Sequence, residues 1–200
     1  MPAPLTFDAQ TIHSAIERIA SSIQSRHGEN PAVCLIGIAN GGLHLTRRLQ
    51  TALGGQIPVG ELDTPFHRDG IGSTPIPKES RPTVIPFDVA DRLVILGDDV
   101  FTPDALSTLP STNSSTTVDP AAVELAILID RGGRKLPFAA DYTGLTAQTN
   151  DRQKVVVTLD PDHPANDLVT HRGREVLSRR TALSIAFRLH YPCPGPDATS

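Results

Sequence analysis

An apolar run that ends abruptly in two carboxylates is the feature of this chain that most restricts its fold. Residues 93–96 are all large and aliphatic, and Gly97 separates them from Asp98 and Asp99. A short apolar run bounded by charge is typical of a buried strand in a parallel sheet. Ligands bind at the carboxyl ends of such strands, where an acidic pair accepts the hydrogen bonds that ribose hydroxyls donate. The alternative, a helix N-cap beside a solvated charge, stays equally open on capping preferences alone.

The rest of the chain alternates predicted strands and helices. Asp8 is a candidate N-cap for a helix that ends near Gly28, with isoleucines at helical spacing at 12, 16, 19 and 23. A second helix is predicted to begin at Gly41 and Gly42. Strands are predicted over residues 32–38, 57–62, 93–96, 123–129 and, as a late antiparallel edge strand, 155–159. This order predicts a doubly wound α/β domain whose mainly parallel sheet has helices on both faces.

Composition narrows the class of protein. Two hundred residues fit one domain, and the net charge of −4 provides no overall electrostatic footprint for nucleic acid. Cys34 and Cys193 are too few for a disulfide framework and indicate free thiols. No apolar stretch approaches membrane-spanning length, and the N-terminus lacks a signal-peptide pattern. We therefore expect a cytoplasmic protein that does not contact the membrane.

The stretch from residue 93 to residue 102 resembles the phosphoribosyl-diphosphate (PRPP) motif of type I phosphoribosyltransferases. In that motif a hydrophobic strand, two acidic residues and a short Thr/Gly loop precede a helix. The resemblance narrows to the PyrR family, pyrimidine-operon regulators that also act as uracil phosphoribosyltransferases. Further segments match that family in order, at residues 35–42, 59–63, 67–69, 123–137 and 140–144. Several ordered segments are far more specific than any single motif.

The resemblance implies a domain organisation. Residues 1–162 would form a type I phosphoribosyltransferase-like domain with a flexible hood loop at 64–82 over the site. The chain continues past the point where the family normally ends. We predict a C-terminal extension over 163–200, with an amphipathic helix over 174–189 and a disordered tail. Docking of that helix on the domain or on a dimer face is the favoured interpretation, and an RNA-binding arm is the alternative.

The resemblance also implies roles for individual residues. Asp98 and Asp99 would hold the ribose and, through water, Mg²⁺, which keeps waters and takes few protein carboxylates. Arg68 is the third residue expected to act in catalysis, because its planar guanidinium suits the oxygens of pyrophosphate. The residues expected to contact substrate are Asn40, Gly41, Gly42, Thr102, Asp130, Arg131, Tyr142, Thr143 and Gly144.

Structural alternatives stay open for these residues. Gly41 and Gly42 could simply close a strand-to-helix turn, and many family members carry an arginine where Gly41 stands. Arg68 could pair with Asp69 at the surface. Asp130 could belong to a charge network at a strand end.

The resemblance breaks directly after the acidic pair. The family has a loop of the type Leu-Tyr-Thr-Gly-Arg-Thr, whose backbone N–H groups cradle a 5′-phosphate at a helix N-terminus. Here Pro103 supplies no N–H, and Asp104 would repel phosphate. Residues 107–117 are rich in Ser and Thr and lack helical periodicity. We therefore predict a flexible loop over 102–120 in place of a rigid phosphate clamp.

The function implied by the resemblance is conversion of uracil and PRPP to UMP and diphosphate with Mg²⁺. The altered loop predicts weakened or lost turnover and a nucleotide-sensing regulatory role. Two alternatives remain, an RNA-binding transcriptional attenuator of pyrimidine genes and a non-catalytic partner-binding relic of the fold. RNA binding is expected to be weak or absent because the body of the chain is acidic. By resemblance we expect a homodimer or higher homo-oligomer.

Overall fold

A computed structural model of the chain describes residues 6–62, 83–101, 119–132, 139–149 and 153–173. Several predictions fall outside these described residues and stay predictions. They concern the hood loop at 64–82, the phosphate loop up to residue 118, the helix at 174–189, and the individual residues Arg68 and Thr102.

The described elements include both predicted helices and the five predicted strands, together with three strands that the sequence did not predict, the first, sixth and eighth in chain order. In chain order they are β1 Thr6–Phe7, α1 Ala9–His27, β2 Val33–Ile38, α2 Ala39–Ala52, β3 Val59–Leu62, β4 Leu93–Phe101, β5 Ala122–Asp130, β6 Tyr142–Thr146, β7 Gln153–Thr158 and β8 Leu168–Gly173. The central sheet has the strand order β3-β2-β4-β5-β6, and every neighbouring pair in it is parallel. Strands β1, β8 and β7 form a smaller antiparallel sheet. The predicted α/β class with a mainly parallel sheet is confirmed.

Strand β4 lies in the middle of the central sheet and extends further than its apolar run. Its pairing with β2 ends where Gly37 meets Gly97. Its pairing with β5 continues until Phe101 lies beside Asp130. The acidic pair therefore lies inside β4, at the point where one neighbouring strand has ended and the other continues. Because the pairing with β2 ends before Asp98 and Asp99, a ligand can approach these two residues from the side of β4 on which β2 lies.

Helix α1 forms where the sequence predicts it. The Asp8 carboxylate accepts a hydrogen bond of 2.9 Å from the Thr11 N–H, and this bond lowers the pKa of Asp8. At the other end Gly28 adopts φ +59°, and its N–H donates to the Gln24 carbonyl. The predicted isoleucines all face the core, at positions 12, 16, 19 and 23.

The two described helices pack side by side on one face of the central sheet. Ile19 of α1 and Leu45 of α2 share one core cluster with Leu35 and Ile95 of the sheet. The opposite face of the central sheet contains buried strand residues such as Val94. It packs against apolar side chains of residues 85–89. No helix in the described part of the chain is long and apolar enough to cross a membrane.

A buried ion pair joins α2 to the connection between β7 and β8. The Arg48 guanidinium donates two hydrogen bonds to the Asp167 carboxylate, at 3.0 and 3.2 Å, and a third of 2.6 Å to the Asp160 carbonyl. Asp167 also accepts the Asp160 N–H at 2.8 Å. The Asp160 carboxylate accepts the Asn166 amide and two backbone N–H groups, which lowers its pKa to about 2. The predicted boundary after residue 162 thus falls between β7 and β8, two strands that pair with each other.

We expect Arg48→Ala to destabilise the protein strongly. The Asp167 side chain is 1% exposed, so without its partner it would be a buried, uncompensated charge. Breaking such a pair costs about 3–5 kcal/mol. Urea unfolding followed by circular dichroism measures the loss. Arg47→Ala, which removes the exposed neighbouring arginine, is the matched control and should change stability by less than about 0.5 kcal/mol. Equal midpoints for the two variants would contradict the structural role of the pair.

Candidate functional site

The first turn of α2 packs in backbone contact with the ends of β2 and β4. A Cβ atom on Gly42 would overlap the Gly97 carbonyl oxygen, and one on Gly37 would overlap the Leu43 backbone. A Cβ atom on Gly97 would lie 2.5 Å from the Thr46 methyl carbon. The missing side chains at these three glycines therefore allow the helix to begin directly on the sheet.

The turn that leads from β2 into α2 contains backbone strain. Ala39 is the first residue of α2 and adopts φ +52°, in the left-handed region that residues other than glycine rarely enter. Such strain is kept only where surrounding contacts hold it, and it is frequent at ligand sites. The contacts of Gly42 and Leu43 supply that support here.

Asp99 lies against the first turn of α2. A Cβ atom on Gly41 would overlap the Asp99 carboxylate, whose more distant oxygen, Oδ1, would still be only 2.8 Å away. Asn40, beside it, is exposed. The structure thus brings the turn at residues 40–42 and the acidic pair of β4 together at one edge of the sheet. Their roles toward a ligand stay predictions.

The surroundings of Asp98 disfavour the ionised form of its carboxyl group. Its Oδ1 accepts the Asp99 N–H at 2.8 Å. Burial raises the pKa of Asp98 well above its ordinary value of 3.8, and the adjacent Asp99 carboxylate raises it further. A side-chain hydrogen bond between Asp98 and Asp99 also favours the neutral form of Asp98. A cation bound beside the two carboxylates would favour the ionised form.

The carboxylates of Asp98 and Asp99 suit Mg²⁺, but they are too few to form a metal site from protein ligands alone. Mg²⁺ takes one or two protein carboxylates and fills its remaining positions with waters and substrate phosphates. Over the described ranges, no group of three or more His, Cys, Asp or Glu side chains is placed to hold a metal ion. Asp98 and Asp99 would therefore hold the ion only together with water or with substrate oxygens.

The residues after β5 contact the protein's own groups. Asp130 is buried at the end of β5 and accepts the Gly132 N–H at 2.8 Å. The Arg131 guanidinium donates to the Thr149 hydroxyl at 3.0 Å and to the Gln153 carbonyl at 2.6 Å. Arg131 thereby connects the end of β5 to the start of β7. Two of its five N–H donors are thereby used within the protein, and its expected contact with substrate stays a prediction.

The three predicted substrate residues of β6 separate onto two faces. Thr143 is exposed and lies in register with Ile127, the β5 neighbour of Asp98. Tyr142 lies in the core under α1, on the opposite face. Gly144 also packs under α1, and its carbonyl accepts a 2.7 Å hydrogen bond from Arg18.

Tyr142 belongs to a buried polar cluster that the sequence did not predict. Its hydroxyl donates to Glu124 Oε2 at 2.5 Å, and His27 Nε2 lies 2.8 Å from the same oxygen. Burial raises the pKa of Tyr142 to about 12, and the bond to Glu124 adds to that shift. Burial would raise the pKa of Glu124 as well. The hydrogen bonds from Tyr142 and His27, with the charge of Arg26 at 3.3 Å, outweigh burial and lower that pKa.

These residues could not be grouped from local patterns. His27 and Glu124 are 97 positions apart, and no spacing rule connects them. The contact at Gly97 did have a local signal, because a glycine between an apolar run and an acidic pair indicates close backbone approach.

Solved structures with this fold are phosphoribosyltransferases. A hypoxanthine phosphoribosyltransferase of Trypanosoma cruzi matches with a TM-score of 0.61 and 24% identity, covering 90% of this chain and 96% of that one. A hypoxanthine-guanine phosphoribosyltransferase of Bacillus anthracis matches with a TM-score of 0.57 and 15% identity, covering 74% of this chain and 85% of that one. The fold is therefore that of the phosphoribosyltransferases.

Sequence relatives narrow this class to one family. The bifunctional protein PyrR of Chloroflexus aurantiacus is 34% identical over 169 residues, which are 82% of this chain and 93% of that protein. The bifunctional protein PyrR of Streptococcus sanguinis is 38% identical over 156 residues, covering 76% of this chain and 88% of that protein. The Bacillus subtilis protein of the same name is 35% identical over 173 residues, covering 81% and 92%. No protein-family model matches the chain. The chain belongs to the PyrR family, as its sequence motifs predict.

We expect Asp98→Asn to stabilise the ligand-free protein in a pH-dependent way. The pKa of Asp98 is higher in the folded than in the unfolded chain, so its contribution to stability is lost as the pH rises through the raised pKa. Asparagine has no charge to bury. The variant should gain on the order of 1 kcal/mol at about pH 7 and nothing at about pH 3.

Urea unfolding with a metal chelator present measures the difference at each pH. Asp91→Asn, which removes an exposed carboxylate at the opposite end of β4, is the control and should have a smaller effect. A loss of stability in Asp98→Asn at pH 7 would contradict the burial of an unfavourable charge.

We expect Tyr142→Phe to lower the free energy of unfolding. The change removes one hydrogen bond to the charged Glu124 carboxylate, which keeps its contacts with His27 and Arg26, and a hydrogen bond to a charged group contributes about 1.5–3 kcal/mol. Thermal or urea unfolding gives the value, with Thr143→Val at the exposed next position as the control. Unchanged stability in Tyr142→Phe would show that the cluster does not support the fold.

Proposed function

We propose that this protein is a nucleotide-sensing regulator of the PyrR type that binds PRPP and UMP and converts uracil to UMP slowly at most. The observation that carries the proposal is the contact between Asp99 of β4 and Gly41 in the first turn of α2. It places carboxylates and a helix N-terminus at the same edge of a parallel sheet, where ligands of such folds bind.

The two parts of this edge suit the two parts of a phosphoribosyl ligand. Asp98 and Asp99 can accept hydrogen bonds from the ribose hydroxyls. The N-cap position of α2 is Ile38, which has no polar side chain to satisfy the N–H groups of the first turn. Those N–H groups and the helix dipole favour an anion such as diphosphate. Mg²⁺, when bound, would neutralise charge on the diphosphate leaving group.

Slow turnover follows from the chain after β4. Pro103 has no N–H to offer a 5′-phosphate, and Asp104 carries a negative charge at a sequence position where the family loop has glycine or arginine. Loss of one donor that acts in a transition state typically lowers the rate by about 10²–10³. A site that keeps the ribose carboxylates but has an altered phosphate loop would bind nucleotides better than it turns them over.

RNA attenuation is the less favoured function. Arg18 of α1 donates to the Gly144 carbonyl, and Arg26 pairs with Glu124 at 3.3 Å and Asp141 at 3.7 Å. The charge of Arg26 is thus partly neutralised by the protein itself, and Arg18 is held by a backbone acceptor, in a chain with a net charge of −4. Because RNA affinity depends on phosphate neutralisation, we expect weak, salt-sensitive binding at most. A homodimer or higher homo-oligomer remains the expected assembly.

Calorimetry with UMP, and separately with PRPP and Mg²⁺, tests the proposal. Both ligands should bind the unaltered protein. Asp98→Asn should weaken UMP about tenfold or more, because a hydrogen bond to a charged group is worth about 1.5–3 kcal/mol. Asp91→Asn should leave UMP affinity unchanged, since that carboxylate lies beyond the amino end of β4.

The same samples are assayed for uracil phosphoribosyl transfer. A rate far below the order of 10 per second of ordinary enzymes is expected. A rate of that order would contradict the weakened phosphate loop. Failure of both ligands to bind would instead support a non-catalytic relic of the fold.

A further inference from the structure

We propose that Asp99 closes the anion-binding first turn of α2 in the ligand-free protein, so that the site favours nucleoside monophosphates over ligands that carry a diphosphate. This inference rests on the proposed function and names the ligand class that the site prefers. Gly41 and Gly42, which the sequence analysis predicts together as one ligand loop, have separate roles.

The carboxylate of Asp99 occupies the space in which a side chain at Gly41 would begin. Its Cγ and both oxygens lie within 2.8 Å of the place where a Cβ atom would stand. Gly41 does not have a positive φ, so its backbone conformation is open to alanine. The requirement for glycine at this position is therefore one of space, and the group that fills the space is the Asp99 carboxylate.

Gly42 serves the fold instead. The atom that a Cβ there would overlap is the Gly97 carbonyl oxygen, which belongs to the backbone of β4 and cannot move aside as a side chain can. Gly42 thus permits the helix to pack on the sheet, whereas Gly41 permits an acidic side chain to lie over the start of the helix. The contact between Asp99 and Gly41 can therefore break without disturbing the fold, whereas the contact between Gly42 and Gly97 cannot.

A carboxylate at this point competes with a diphosphate for the same environment. The N-terminus of a helix stabilises one nearby anion, and Asp99 already supplies it. A diphosphate must displace that carboxylate or bind beside it against charge repulsion in a poorly screened cleft. A nucleoside monophosphate has no diphosphate at its ribose C1′. It can therefore leave Asp99 in place and use the same carboxylates for its hydroxyls.

Two variants test this from opposite sides, with metal-free pyrophosphate as the probe in calorimetry with a chelator. Asp99→Asn removes the charge, and Gly41→Ala pushes the carboxylate away from the turn while adding a good helix former. Each should tighten pyrophosphate binding by about tenfold, the order expected when one partly screened like charge is removed. Asp91→Asn controls for the change in net charge and should leave pyrophosphate affinity within about twofold of the parent protein.

The double variant shows whether both changes act through one contact. If Gly41→Ala acts by displacing the Asp99 charge, the two gains are not additive, and Gly41→Ala/Asp99→Asn should bind pyrophosphate about as tightly as Asp99→Asn. Circular dichroism confirms that each variant is folded.

Unchanged pyrophosphate affinity in both single variants would overturn the inference, as would fully additive gains. A further contradiction would be tighter binding of PRPP than of UMP by the unaltered protein in the absence of metal. These outcomes are separate from failure of the proposed function, which would appear as loss of UMP binding in the unaltered protein whatever the variants do with pyrophosphate.

Discussion

Backbone contact between α2 and β4 is the constraint on which the candidate site depends. The Gly97 carbonyl occupies the space of a side chain at Gly42, and Thr46 covers Gly97 from the helix. A larger residue at either glycine would lift the helix from the sheet, and the turn at residues 40–42 would move away from the acidic pair. The position of Asp99 against that turn is thus a consequence of close packing that involves no charged group.

Two acidic groups of the central sheet differ in how their charge is accommodated. Glu124 has Tyr142, His27 and Arg26 around its carboxylate, and its pKa lies below the ordinary value although it is buried. Asp98 has another carboxylate as its neighbour, and its pKa is raised. The first arrangement stabilises the folded chain. The second costs stability, and acidic groups with perturbed pKa values of this kind are frequent at functional sites, which supports the proposed role of Asp98.

The smaller sheet is attached through apolar residues and through one buried ion pair. Val155 of β7 and Val169 of β8 are buried in the same core cluster as the two helices and the central sheet. Strand β8 lies between β1 and β7, so that sheet joins both ends of the described chain. The bonds of Arg48 to Asp167 and to the Asp160 carbonyl then hold the β7–β8 connection on α2. The same helix therefore contacts Asp99 with its first turn and secures the second sheet near its middle. A change at Arg48 would be expected to reach the site through α2 itself.

Local patterns are sufficient to predict both described helices, five of the eight described strands and the gathering of residues 40–42 with Asp98 and Asp99. Hydrophobic period, capping residues and glycines are short-range signals, and the carboxyl ends of parallel strands meet at one edge whatever their exact lengths. Three features could not be predicted from such local signals. They are the direction of Tyr142, the continuation of β4 to Phe101 and the pairing of β8. They depend on His27, on β5 and on β1, groups far away in the chain. The bond of Arg48 to Asp167 spans 119 positions. Such contacts are decided by which surfaces the folded chain brings together, and this is why only the tertiary structure shows that Gly41 makes room for a carboxylate.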